Sequence, residues 1–229
     1  MKLILVALAV AGLSGACAPM QDIDRVPEVN PTMAETFAQT KSFVYERSIV
    51  RGERGEPTVT VEAGLACVPH AQGFAKSGQY AATNQEYENA FQEELARVGY
   101  RVAQTVGGGD LFTDKKDIAA DYRVAGVVSR PRMNVCFPLA GFGNFTSGKG
   151  EASLTVEWQL YSNAQKSVVY STTQKGYAKL DSSVAGPVSE LWREAFARAV
   201  RGLLADQGFV SMANGVTAPP TATRISSSR

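Results

Sequence analysis

A strict alternation of apolar and polar residues over 151–161 constrains the fold of this chain more than any other feature. The apolar positions are Ala152, Leu154, Val156, Trp158 and Leu160, with a polar residue between each pair. Because side chains of a β-strand point alternately to opposite faces, this pattern predicts a strand with one buried and one solvated face. The buried face must be covered by a second layer of structure.

An apolar stripe near the C-terminus predicts that layer. Pro187 stands at the first position of a predicted helix, and apolar residues then recur at helical spacing as far as Leu204. We expect Gly208 to end this helix. The segment 209–212 is expected to form a last short strand.

Further strands are predicted upstream. The segments 42–50 and 58–68 are rich in Val, Thr and aromatic residues, and the turn between them suggests a hairpin. A long strand is expected over 122–137, where Pro131 indicates either an edge position or a bulge. The segment 167–178 is expected to pair back on 151–161.

A second helix is predicted between these strands. Thr83 and Glu86 form a capping box at its start, and Gly99 provides a left-handed terminus. The predicted fold class is α+β, or α/β, with a single mixed β-sheet and two main helices packed on it. The expected order of elements is ββαβ-βββα(β).

The N-terminus is predicted to be an export signal. The apolar run after Lys2 is shorter than the about 20 residues that span a bilayer, and small residues follow it. Cleavage after Ala16 leaves Cys17 first, and here the leader resembles that of a bacterial lipoprotein. The resemblance implies acylation of Cys17, including palmitate, and Ala18 implies the outer membrane. The alternative is a soluble periplasmic or secreted protein.

The chain is therefore expected to divide into four parts. These are a signal peptide over 1–16, a tether over 17–41, a globular domain over 42–212 and a disordered tail over 213–229.

Cysteine usage agrees with export. The sequence has three cysteines, and acylation of Cys17 would leave Cys67 and Cys136 as a pair for a disulfide in an oxidising compartment. Two alternatives remain, namely two free buried thiols and a metal site formed by Cys67, His70 and Cys136.

Composition and motifs argue against several functions. The formal net charge is +1, whereas a nucleic-acid-binding protein would need a basic surface. His70 is the one histidine, and no nucleophile motif accompanies it. The sequence contains no cofactor motif, and no catalytic residue is predicted.

The segment 137–150 is a long loop rich in glycine and phenylalanine. We expect Phe137, Phe142 and Phe145 in this loop to form a partner contact. The alternatives are that the loop folds back over its own domain or meets a bilayer.

The order of elements, with the strings at 121–127 and 156–161, is similar to envelope lipoproteins with the fold of the TolB amino-terminal domain. That group includes curli-secretion, polysaccharide-export and penicillin-binding-protein-activator lipoproteins. The resemblance implies a non-enzymatic accessory role on an envelope complex, with homo-oligomers as a further expectation. The alternatives are a module that binds a small ligand or a glycan between sheet and helices, and a metal-dependent hydrolase using His70.

Overall fold

The structure is a computed structural model that describes residues 19–32, 41–51, 55–74, 84–103 and 120–215. The strands are β1 (Ser42–Arg51), β2 (Pro57–Ala63), β3 (Val68–Phe74), β4 (Arg101–Val102), β5 (Tyr122–Phe137), β6 (Ser147–Ser162) and β7 (Ser167–Ala185). The helices are α1 (Asn84–Arg97), α2 (Pro187–Ala205) and α3 (Gln207–Ala213).

The strands form one mixed seven-stranded sheet, which confirms the predicted fold class. β5 lies at its centre and pairs antiparallel with β6 along its whole length, and β6 pairs antiparallel with β7. The other edge of β5 is shared, because β1 runs parallel to its first half and β2 runs parallel to its second half. The hairpin predicted between β1 and β2 is therefore wrong.

A bulge near Pro131 explains how β5 serves two neighbours. The register between β5 and β6 shifts between Ser129 and Arg132, and Arg130 has a φ of 48°. A bulge bends its strand and lets proline avoid the ladder, so β5 turns from β1 towards β2 at this point. Of the two predicted positions for Pro131, the bulge is confirmed and the edge is wrong.

The predicted strand 58–68 is in fact two segments. β2 ends at Ala63, a turn follows over 64–67, and β3 pairs back on β2. Gly64 and Cys67 both have positive φ, which closes the turn within the apolar run. His70 consequently lies in β3 and not in a loop.

The helices cover one face of the sheet. The alternating apolar residues of β6 are all buried there, with Trp158 completely inaccessible. Phe196 of α2 packs with Trp158 at 5.4 Å between ring centroids and with Tyr87 of α1 at 4.3 Å. Between the two helices, Glu94 and Arg201 form a buried ion pair of 2.9 Å.

One glycine brings β7 and α2 together. A Cβ atom on Gly176 would lie 1.8 Å from the carbonyl oxygen of Ala195, which no side chain can tolerate. The close packing of α2 on the edge of the sheet therefore requires glycine at this position.

The C-terminal end of the domain differs from the prediction. α2 ends at Ala205, and 209–212 lies in α3 instead of a strand. The Asp206 side chain accepts hydrogen bonds from the backbone of Gly208 and Phe209, which starts the new helix. Phe209 is then buried against Phe43 at 5.1 Å.

Candidate functional site: the N-terminal arm and the apolar end

The face of the sheet opposite the helices carries a segment that we call the N-terminal arm, residues 19–32. The arm crosses the strands from β3 to β7, and its contacts begin at Pro19. The carbonyl oxygen of Pro19 accepts hydrogen bonds from Thr60 Oγ1 at 3.0 Å and from Gln72 Nε2 at 2.9 Å. The described part of the predicted tether is thus attached to the domain.

A buried attachment of the arm joins Gln21 to Asn134 of β5. The Gln21 amide donates to Asn134 Oδ1 at 2.8 Å, and Asn134 Nδ2 donates to the Gln21 carbonyl at 2.9 Å. Gln21 Nε2 also donates to Thr60 Oγ1 at 3.1 Å. All three residues are buried, and a buried polar group that loses its partner is costly.

A charged contact follows on β6. Arg25 binds both carboxylate oxygens of Glu151, at 2.6 and 2.8 Å, and Tyr177 donates to the same carboxylate at 3.0 Å. The hydrogen bond from Arg25 is the largest of the effects that hold the pKa of Glu151 below its ordinary value. The backbone of Asp24 donates to Ser153 Oγ at 3.1 Å, which buries a position that the sequence pattern assigns to the solvated face.

Beyond the edge strand β7 the arm reaches the helices. Glu28 accepts a hydrogen bond from Arg201 at 2.8 Å, and the Thr32 amide donates to the carbonyl of Leu204 at 3.1 Å. The arm therefore holds both the open face of the sheet and the outer side of α2.

Cys17 itself lies outside the described residues. Only Ala18 stands between it and Pro19, so the Cα atoms of Cys17 and Pro19 are about 7 Å apart at most. A lipid on Cys17 would therefore hold the domain close to the membrane surface.

Cys67 and Cys136 form a disulfide with a Cα–Cα distance of 5.4 Å. Cys67 lies in the turn between β2 and β3, and Cys136 lies in β5 beside it. The bond leaves neither sulfur as a thiolate, and His70 is exposed on β3, so the structure does not assemble the metal site considered from the sequence. The residue that adjoins both cysteines is Glu62, and burial followed by the charge of Glu151 raises its pKa above the ordinary value.

The aromatic loop is shorter than predicted, because β5 extends to Phe137 and β6 begins at Ser147. A short 3₁₀ turn over Ala140–Phe142 lies within it. Phe137 is buried and packs on Phe145 at 5.8 Å between ring centroids, so this ring supports the loop from below. Phe142 and Phe145 remain exposed by 84% and 55%.

The turn after β2 adds a further exposed apolar side chain to the same end of the sheet. Gly64 donates to the carbonyl of Phe137 at 3.1 Å, which places this turn beside the loop, and Leu65 in the turn is 81% exposed. We call Leu65, Leu139, Phe142 and Phe145 the apolar end.

A cleft lies between the arm and the disulfide. Its volume is about 610 Å³, and it opens on the face of the sheet opposite the helices. The space between sheet and helices, where the alternative hypothesis of a ligand-binding module placed the ligand, is filled by aromatic side chains. The cleft is lined in part by Met20, Glu62, Lys149, Tyr177 and Lys179.

Sequence reasoning missed the arm, because it treated 17–41 as one tether. A signal was present in the buried partners, since Thr60 and Asn134 are polar residues within predicted strands. Asn134 pairs with a residue more than one hundred positions away in the sequence. Local sequence pattern does not reveal such a partner.

No family model matches this sequence, and the curated proteins give no significant match. Among solved structures, the chain is similar to a Xanthomonas campestris protein of the family DUF330, with 13% identity, coverage of 82% of this chain and 96% of that one, and a TM-score of 0.43. It is also similar to a minor lipoprotein from Acinetobacter baumannii, with 12% identity, coverage of 76% and 94%, and a TM-score of 0.34.

A third similar structure is the PelC dodecamer from Paraburkholderia phytofirmans, with 13% identity, coverage of 76% and 92%, and a TM-score of 0.33. Because these TM-scores are all below 0.5, the function proposed below rests on the residues of this chain. Among the described helices, none has both the length and the apolar character needed to cross a membrane.

Proposed function

We propose that this protein is a lipid-anchored envelope protein, facing the periplasm from the outer membrane, that supports an envelope complex without enzymatic activity of its own. The observation that carries the proposal is the attachment of Pro19 to β2 and β3. Because only Ala18 stands between Pro19 and Cys17, an acylated Cys17 presents the domain directly at the membrane surface.

The disulfide supports a location in the periplasm. A bond between Cys67 and Cys136 persists in an oxidising environment and is rare in a reducing one. Together with the apolar leader before Cys17, it favours the periplasmic side of the envelope.

The contacts of the buried charged residues in the helix layer support a structural and accessory role. Arg201 and Glu94 hold the two long helices together, and Arg201 also binds Glu28 of the arm. Glu94 and Arg201 are both buried, they bind structural partners, and neither of them lines the cleft.

The anchor is tested by the intact mass of the protein purified from its native membranes, before and after reduction and thiol labelling. We expect a mass that includes acyl chains on Cys17, and labelling of Cys67 and Cys136 only after reduction. An unacylated chain, or label on either cysteine without reduction, would contradict the proposal.

The accessory role is tested by a photo-crosslinker placed at Glu157, which is exposed on the open face of β6 outside the arm. We expect capture of the same envelope proteins in repeated preparations, and loss of that capture when Cys17→Ser releases the protein from the membrane. Adducts that are the same for both forms would argue against a complex at the membrane.

A second candidate function, favoured by the cleft, is the binding of a glycan or another polar ligand. A volume of about 610 Å³ accommodates a small ligand, and its lining includes the aromatic ring of Tyr177 and the ammonium group of Lys179. Native mass spectrometry of the purified protein would reveal a bound molecule and, in the same spectrum, any homo-oligomer. A ligand that persists in wild type and disappears in Lys179→Ala supports binding, whereas identical ligand-free spectra reject it.

A further inference from the structure

We propose that the apolar end, formed by Leu65, Leu139, Phe142 and Phe145, inserts into the lipid bilayer beside the acylated Cys17. The anchor itself is the proposed function described above, and this inference rests on it. The occupant of the surface is thus the membrane interface and not a protein.

Exposure is the first reason. Phe142 is 84% and Leu65 is 81% exposed, and both lie at the tips of tight turns where no apolar neighbour covers them in the described part of the chain. Full transfer of one such side chain out of water changes a binding constant by about tenfold or more. Protruding tips of this kind suit a soft apolar phase better than a rigid protein surface.

The position of the arm is the second reason. Met20 is 55% exposed and lines the same cleft as Cys67 and Cys136, so the beginning of the arm lies near the turn that carries Leu65. Thr60 of β2, which binds Pro19, is only four residues before Gly64 in the turn, a distance of about 13 Å along an extended chain. The acylated residue and the apolar end are therefore close enough to meet one membrane surface.

The distribution of exposed apolar residues is the third reason. At the opposite end of the sheet, next to the hairpin between β6 and β7, Val168 is 54% exposed, and Tyr161, the aromatic residue opposite it, is partly buried. Among the described residues, the domain thus has an end that can enter lipid and an end that remains in water. An anchored domain with this asymmetry adopts one orientation instead of turning freely about its lipid.

The test compares two tryptophans at exposed apolar positions of opposite ends, Phe142→Trp and Val168→Trp. Each acylated protein is reconstituted into vesicles of phosphatidylcholine, with and without bromine atoms on the acyl chains. The native residues Trp158 and Trp192 are buried and provide a common background. We expect brominated chains to quench Phe142→Trp strongly and Val168→Trp no more than wild type. Equal quenching of the two variants would overturn the proposal.

A crosslinker at position 142 in native membranes separates the two classes of occupant. Adducts with lipid support the proposal, whereas a single protein adduct in place of lipid would overturn it in favour of a partner contact. The intact mass of the protein shows separately whether Cys17 is acylated. An unacylated chain would contradict the proposed function, whereas an acylated chain whose loop stays in water would contradict only the insertion of the apolar end. Because Phe142 is almost fully exposed, neither variant is expected to disturb folding.

Discussion

The two faces of the sheet are covered by different means. On one face, α1 and α2 bury an aromatic core in which Phe196, Trp158 and Tyr87 are in ring contact. On the other face, a single extended arm is held by hydrogen bonds to Asn134 and Thr60. The first layer is stabilised by removal of apolar surface from water, and the second by satisfaction of buried polar groups.

The helix layer therefore determines the stability of the domain, and the arm determines where the N-terminal segment lies on it. The helix layer accounts for the core of the domain, and its loss would unfold the chain. The arm instead fixes the position of Pro19, two positions after Cys17, on the open face of the sheet. Substitutions on the two faces should accordingly have effects of different size and kind.

The largest expected effect is in the helix layer. Phe196→Ala removes a completely buried ring that contacts Tyr45, Tyr87 and Trp158, and we expect a loss of about 3–5 kcal/mol in the free energy of unfolding. Urea unfolding followed by circular dichroism measures it. Phe142→Ala is the matched control and should change stability by less than about 0.5 kcal/mol. Similar losses in both variants would contradict the assignment of the core.

Loss of the disulfide should have the next largest effect on stability. The double variant Cys67→Ser with Cys136→Ser opens a loop with a sequence separation of 69, and the expected loss is about 4 kcal/mol on the chain-entropy model. The same unfolding measurement on reduced wild type should give a similar value. A double variant as stable as the oxidised protein would show that the bond adds nothing to the fold.

An intermediate effect is expected under the arm. Asn134→Ala leaves the Gln21 backbone without its two partners, at an expected cost of about 1–3 kcal/mol. The variant should also become sensitive to proteases within 19–32, while Gln159→Ala on the same face beyond the arm should not. Unchanged protection in Asn134→Ala would mean that other contacts hold the arm.

The smallest expected effect is on the pH dependence of stability, to which two carboxylates of the open face contribute with opposite signs. Because the pKa of Glu62 is raised in the folded state, the native protein binds a proton more readily, and stability falls as the pH rises above 4.5. Glu62→Gln should therefore stabilise the protein at neutral pH and flatten this part of the pH profile.

Glu151 is the matched comparison. Its pKa is lowered in the folded state, so its contribution is present at neutral pH and is lost as the pH falls from the ordinary pKa through the lowered pKa of the folded state. Glu151→Gln should destabilise the protein at neutral pH. Changes of the same sign in the two variants, measured by thermal unfolding across the acidic range, would refute the difference between the two sites.

Much of the helix face could be predicted from the sequence. The alternation in β6, the stripe of α2 with Pro187 at its start, and Gly99 at the end of α1 are local signals that the structure confirms. They succeed because burial on one side imposes a period that is visible within a single element.

The remaining features depend on contacts distant in sequence. β1 and β2 both pair with β5 rather than with each other, and 209–212 is helical because Asp206 caps it and Phe209 packs on Phe43. The arm is the strongest case, since polar residues such as Ser153 read as solvated until Asp24 covers them. Local periodicity has no information about such partners.

The attachment of the arm is most directly tested by amide hydrogen exchange of Gln21 in the acylated protein. Its amide donates to Asn134 Oδ1 in a buried site, so we expect exchange to be slowed to a rate comparable with that of core strand amides. Exchange at the rate of an unstructured peptide would show that the arm is free. The anchor would then hold the domain on a loose tether and not against the membrane.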